Sequence, residues 1–414
     1  MSELKVDVDP RELGFDPDRL RRIDRHYDRY LERDLLTSWA AVVARDGQIV
    51  HATVHGQRDR EAGLPADWNT RWRIYSMTKP ITSVAAMMLF EEGAFSLLDE
   101  IRRFLPEFSQ PRVYLRGGAT NPSTAPAAEP IRVWHLLTHT SGLTYGFHHG
   151  HPVDEIYRRS GYEWGVPSGV DLAGACAFWA NTPLLFEPGT EWNYGVSTDV
   201  LGRLVEVVSG MPLDEFFRTR IFEPLGMSDT AFWAEEGEAL DNLAALYIPR
   251  PDNKRAIRNE ALGATGRSRP AFLSGGGGLV STAADYHRFT QFLLRRGELD
   301  GVRLLSPRTF ERMTQNHLPG GFDLERIGRP LFAETRYDGV GFGLGFSVLL
   351  DPVKAKTTGS VGEFAWGGAA STGFWVDPQQ SITAMFFTQL LPSSTHPVRP
   401  ELTQLVYQAL MDDK

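Results

Sequence analysis

The chain has 414 residues, enough for two or three domains of ordinary size or for one large enzyme core with an insertion. Lysine and arginine number 43 against 52 aspartates and glutamates, a net charge of −9 without long like-charge runs, which makes nucleic acid and anionic membrane surfaces poor partners. Apolar residues at 42% and charged residues at 23% suit a folded globular protein, and 40 glycines with 26 prolines mean many turns rather than a fibre or a disordered tail.

Asp16-Pro17 offers an N-cap and a first-turn proline, and Leu20, Ile23, Tyr27, Tyr30 and Leu31 follow at helical spacing, which predicts an amphipathic helix. Ala40 to Ala44 and Gln48 to Val54 are β-rich runs joined by Asp46-Gly47, a pair that favours the positive φ angles of a tight hairpin. Trp72 to Tyr75 is a short strand running into Ser76, and Met77 to Glu92 is a helix that stops at Gly93, with Pro80 tolerable only in its first turn. From residue 95 to 235 helical patterns are broken by loops, the clearest being Pro111 to Pro130; Pro249 to Arg269 is another surface loop. Gly275 to Gly278 leads into a helix from Ala283 to Leu294. Phe342 to Leu350, Ser371 to Val376 and Ile382 to Gln389 are strands, and Glu401 to Met411 is a closing helix.

Strands at both ends enclosing a mostly helical middle predict an α/β fold with one sheet built from residues 1–95 and 236–414 and a helical subdomain over 96–235. The single Cys176 excludes an internal disulfide, a thiolate zinc cluster and a redox pair, and reads as a small core residue. No apolar run approaches the ~18 to 20 residues of a membrane span, the nearest being Pro80 to Phe90. The segment from Met1 to Asp7 is charged from its third residue and lacks the apolar run of a secretory signal, so a cytoplasmic protein is expected.

Ser76-Met77-Thr78-Lys79 has the form Ser-x-x-Lys at a strand-to-helix junction. Three residues apart on a helix, the two side chains share a face, so Lys79 can reach the Ser76 hydroxyl. The helix start also points free N–H groups at any anion formed there, and a serine hydroxyl needs such a base or cation to become a nucleophile. The motif alone is weak, since Ser2-Glu3-Leu4-Lys5 matches equally well. Context decides.

The segments Trp134 to Leu143, Glu187-Pro188-Gly189-Thr190, Pro224 to Thr230 and Gly276 to Ala283 resemble, in order, the recurrent segments of the serine β-lactamase-related superfamily. More narrowly the chain resembles the carboxylesterases related to class C β-lactamases and the similar fungal acyltransferase of statin precursors, over roughly residues 35 to 410. The resemblance implies an antiparallel sheet flanked by helices, a serine hydrolase acting through an acyl-Ser76 intermediate, no cofactor and no metal. It implies a small-molecule ester with an apolar short-to-medium acyl group as substrate, and leaves the oligomeric state open. Acyl transfer to an alcohol, weak β-lactamase or D-peptidase action, and a non-enzymatic binding role are the alternatives. By the same resemblance Tyr194 acts with Lys79 as proton acceptor, its phenolate favoured by the neighbouring ammonium, with Tyr145 as rival. The N–H groups of Ser76 and Ala369 form the oxyanion hole.

Trp366-Gly367-Gly368-Ala369 falls where relatives carry a Lys-Thr-Gly strand, and its glycines let an acyl group lie close to the backbone. Tyr194-Gly195-Val196 replaces a Tyr-x-Asn triplet. Both departures remove polar recognition, of a substrate carboxylate and of an amide, which favours esters over lactams and D-peptides. Tyr145, Val196, Trp366, Gly367 and Gly368 are thus the expected substrate contacts, and Trp164, Phe147 and Phe364 further candidates for an apolar cleft. There is no Gly-x-Ser-x-Gly elbow; Gly195-Val196-Ser197 is half a match, and Ser197 reads as a helix-start hydroxyl. His135 and His139 are four apart but lack the glutamate of a zinc helix, and His148, His149 and His151 are expected in a loop at the pocket mouth.

Overall fold

The computed structural model describes residues 3–412, so Ser2 of the second Ser-x-x-Lys match lies outside the described residues. The hairpin forms as its turn pair predicts: β1 (Ser38–Arg45) and β2 (Gln48–Asp59) are joined by Asp46 at φ +53° and Gly47 at φ +83°. A short β3 (Leu64–Pro65) follows, and the second half of the chain adds β4 (Val340–Phe342), β5 (Ser347–Leu349), β6 (Phe364–Gly368), β7 (Thr372–Asp377) and β8 (Ile382–Phe387). These eight strands make one sheet in the order β4-β5-β6-β7-β8-β1-β2-β3, every pair antiparallel. The two ends of the chain meet where Ala40 pairs with Phe387.

Strand periodicity sorts β1 onto two cores. Ala40, Val42 and Ala44 enter the larger cluster, with Ile81, Val84 and Met88 of α2 (Thr78–Glu91) and Phe289 of α4 (Ala283–Leu294). Trp39, Ala41 and Val43 face the other way, onto Tyr27 of α1 (Arg22–Glu32) and Leu402 and Val406 of α5 (Val398–Tyr407). Between them, α3 (Ser197–Ser209) belongs to the middle of the chain and packs on α2. The apolar side chains of that middle, Leu136, Cys176 and Leu201 among them, run into the larger core without a break. α2 is buried on almost all sides, as an apolar helix without a polar stripe must be.

Four local expectations are corrected. Trp72–Arg73 alone is strand, paired with Val280–Ser281, and Tyr75–Met77 is already a helical turn. Residues 111–130 are not a plain loop: Arg112–Arg116 pairs with Ser123–Pro126 around a Gly117 turn at φ +102°. Likewise residues 249–269 hold the return strand Ala256–Arg258, paired with Tyr247–Pro249, and a helical turn Glu260–Gly263. The run from Phe342 to Leu350 breaks into β4 and β5 because the chain reverses through Gly343 and Gly345, where a Cβ on Gly345 would strike Ser83. Among the described residues no helix is long and apolar enough to cross a membrane.

Candidate active site

Ser76 sits in the helical turn at the entrance to α2, directly after Tyr75, whose φ of +44° lies in the left-handed region that side chains avoid. Packing of Tyr75 against Leu246, Ala370 and Leu391 holds that conformation. The turn presents Ser76 to a cleft of about 920 Å³ whose walls include Tyr145, Phe147, Trp164, Val196, Phe232, Phe272 and Ala369.

Lys79, one turn on and 1% exposed, points its Nζ at the Ser76 Oγ at 3.3 Å, the Tyr145 Oη at 2.9 Å and the Gly276 carbonyl at 2.7 Å. The Tyr194 hydroxyl donates to the Ser76 Oγ at 2.6 Å, and the Lys79 Nζ lies 4.6 Å from the Tyr194 ring centre. Ser76, Lys79, Tyr194 and Tyr145, from three places in the sequence, therefore form one hydrogen-bonded group.

Burial decides the protonation states. It pushes Lys79 down to about 8, against the opposing charges of Asp199 and Glu334. It pushes the Tyr194 phenol well above its ordinary value, helped by Glu334 and opposed by the bond to Ser76. The expectation of a favoured Tyr194 phenolate is corrected: burial, with the Glu334 charge, favours the neutral phenol, which donates to Ser76. Burial likewise holds His139, whose ring lies 5.2 Å from that of Tyr194, in its neutral form.

Below the serine, the Asp199 carboxylate accepts from Ser274 Oγ at 2.5 Å and from the Gly276 amide at 3.0 Å, which fixes the glycine loop whose carbonyl holds Lys79. Glu334 reaches the cleft wall from the loop before β4, its side chain 1% exposed and paired with Arg399 at 2.6 Å.

A beta-lactamase family model matches residues 23–408. The chain belongs to the beta-lactamase family. Esterase EstB of Burkholderia gladioli is 32% identical over 401 residues, covering 92% of this chain and 93% of the relative. Lovastatin esterase of Penicillium rubens is 32% identical over 367 residues, covering 83% and 86%. The solved structure of EstCE1, described as a hydrolase with promiscuous acyltransferase activity, superposes with a TM-score of 0.79 at 28% identity, covering 96% of this chain and 99% of that one.

In this beta-lactamase-family chain the expected contacts divide. Tyr145, Val196, Ala369, Phe147 and Trp164 line the cleft with Ser76. Trp366, Gly367, Gly368 and Phe364 do not: the Trp366 ring packs edge-on behind Tyr194, 5.3 Å between centres, and Phe364 is core. The histidines do not line it either. His148 Nε2 donates to the Tyr194 carbonyl at 2.7 Å, His149 pairs with Glu163 and His151 caps a helix. His135 Nδ1 accepts from the Arg132 amide, and Ser197 exchanges a hydrogen bond with Ser141. Among the described residues no three His, Cys, Asp or Glu converge on a metal position.

Asp199 and Glu334 escaped the sequence reading, and Gly276 was read only as part of a recurrent segment before a helix, not as a hold on Lys79. For Asp199 a signal existed, an acid in the first turn of a helix that begins just after Tyr194. Glu334 lies in an irregular loop, where neither periodicity nor spacing marks it.

Proposed function

We propose that this protein is a serine carboxylesterase that cleaves small, uncharged esters through an acyl-Ser76 intermediate. The observation that carries the reading is the pair of contacts on Ser76 Oγ, from Tyr194 and from a lysine that burial brings to about 8, at the wall of an aromatic cleft. In the first step Ser76 Oγ bonds to the substrate carbonyl carbon, and its proton passes to the Lys79 amine. The carbonyl oxygen takes the electron pair and is met by the Ser76 and Ala369 N–H groups. Collapse expels the alcohol, which receives its proton from Tyr194, itself reprotonated from Lys79. Water then attacks the acyl-serine with the same groups in reverse.

Ester chemistry is supported by the names of the relatives EstB and lovastatin esterase. An alcohol in place of water gives acyl transfer, a second reading favoured by the breadth of the cleft and by what is described for EstCE1. The same proposal sets the enzyme in the cytoplasm, to be checked by cell fractionation. Incubation with nitrophenyl butyrate and intact-mass measurement tests the chemistry. Wild type gains a butyryl group and Ser76→Ala gains none; acylation of Ser76→Ala, or its retention of wild-type turnover, overturns the assignment.

A further inference from the structure

Arg399, in the first turn of α5, crosses the end of β6 and β7. Its Nη2 donates to the Gly368 carbonyl at 2.6 Å and its Nε to the Thr372 carbonyl at 2.8 Å, while Nη1 pairs with the Glu334 carboxylate. Glu334 is fixed in turn by the Ser393 hydroxyl, which donates to its Oε2 at 2.9 Å. A slot exists for this side chain because Gly367 and Gly373 face each other across the two strands. A Cβ on Gly367 would stand 2.2 Å from the guanidinium carbon, and one on Gly373 2.9 Å from the Arg399 Cδ. The first glycine of Trp366-Gly367-Gly368 thus makes room for Arg399, not for an acyl group.

The Gly368 carbonyl and the Ala369 N–H belong to one peptide group. Among the described residues only Leu391-Pro392 is cis, so this peptide is trans and its C=O and N–H point in opposite directions. The Gly368 carbonyl also accepts from the Ser371 amide at 3.0 Å, and the guanidinium anchored beside it adds a second, charged hold on the heading of the N–H. The charge-assisted bond also polarises the peptide, which makes the N–H a stronger donor. Ala369 lies on the cleft wall with Ser76.

We propose that Arg399, held by Glu334, is the positioning residue of the oxyanion hole: it aims and polarises the Ala369 N–H from behind. The inference rests on the reading of Ser76 as nucleophile and Ala369 as oxyanion donor. Negative charge on the substrate oxygen develops only as the tetrahedral intermediate forms, so the contribution falls on kcat and leaves ground-state binding alone.

The test compares wild type, Arg399→Met, Arg399→Lys and Ser76→Ala on nitrophenyl butyrate, with a butyryl-like trifluoromethyl ketone as reversible oxyanion-forming inhibitor. Arg399→Met should lose about 10- to 100-fold in kcat, below the ~10² to 10³ of deleting an oxyanion donor outright, with KM within about twofold, and should bind the ketone more weakly by the same factor. Added guanidinium ion should restore part of the loss. Arg399→Lys keeps charge and stem but cannot serve both carbonyls, and should fall between the two. It stands as the test if Arg399→Met does not fold. If the folded variants keep kcat and ketone affinity within threefold, or lose KM alone, the inference is overturned. Ser76→Ala separates the two levels. Activity in that variant overturns the nucleophile assignment, whereas a dead Ser76→Ala beside normal Arg399 variants overturns only the role of Arg399.

Discussion

At Lys79 two effects compete, burial against three hydrogen-bond acceptors and two carboxylates, and burial wins by enough to bring the group to about 8. At neutral pH roughly a tenth of such lysines carry a free amine, against less than a thousandth at an ordinary value of 10.5. If the amine accepts the Ser76 proton, kcat/KM for nitrophenyl butyrate rises with pH and levels off above a midpoint near 8. Lys79→Arg keeps the charge but never frees a base, and should be slow and flat across the range. Tyr194 and Tyr145 are separated by the same profile. Tyr194→Phe removes the hydroxyl on Ser76 and should slow acylation by roughly 10² to 10⁴. Tyr145 touches only Lys79 of the pair, and its oxygen stabilises the ammonium. Tyr145→Phe should therefore keep most of the rate while moving the midpoint to lower pH, and a midpoint that stays or rises would contradict the assignment.

At the scale of elements, the glycine loop before α4 does what no side chain at that place is able to do. A Cβ on Gly276 would stand 2.5 Å from Asp199 Oδ2, and that carboxylate is held by Ser274 and by the Gly276 amide itself. Gly276→Ala must shift either the carboxylate or the carbonyl that holds Lys79, and should lower kcat/KM on the order of 10- to 100-fold. Gly93 is the contrast. It closes α2 at φ +77° with open space where a Cβ would stand, so Gly93→Ala should remove about 1 kcal/mol of stability and leave kcat unchanged. Urea unfolding and ester kinetics on both variants check the pair. Gly93, Asp46-Gly47 and the periodic face of α1 were legible because short-range chemistry fixes them. The hairpin at Arg112–Arg116 was not, since its strands are half-exposed and carry no clean alternation. Ser76, Lys79 and Tyr194 were found from the Ser-x-x-Lys spacing and from resemblance. Arg399 was out of reach because its partners are backbone carbonyls, which leave no mark on side-chain identity.

Across the whole molecule, closure of the sheet by the two chain ends leaves α1 and α5 to cover the face opposite the catalytic helix. Beneath the end of α5 lies an acidic group: the Tyr407 Oη is 2.9 Å from Glu363 Oε2 and 2.6 Å from Asp377 Oδ2, and Ser360 donates to the same Asp377 oxygen. Burial pushes Glu363 up to about 8 from 4.5, with the Asp377 charge adding to it and Tyr407 and Arg336 opposing. The folded state thus holds a proton on Glu363 that the unfolded chain has released above 4.5, so this group's stabilising contribution is full below that pH and is lost as pH rises to about 8. Neutral buried histidines such as His135 and His287 slope the other way, because the folded state binds fewer protons there than the unfolded chain does. A difference between two proteins removes their share. Glu363→Gln keeps the shape and cannot ionise, so its melting temperature should gain on that of wild type between pH 5 and pH 8, by a few degrees in total. Differential scanning calorimetry at several pH values reads the difference directly. A difference that stays constant over this range would mean that Glu363 is ionised in the folded protein and that the acidic group beneath α5 carries its charge at neutral pH.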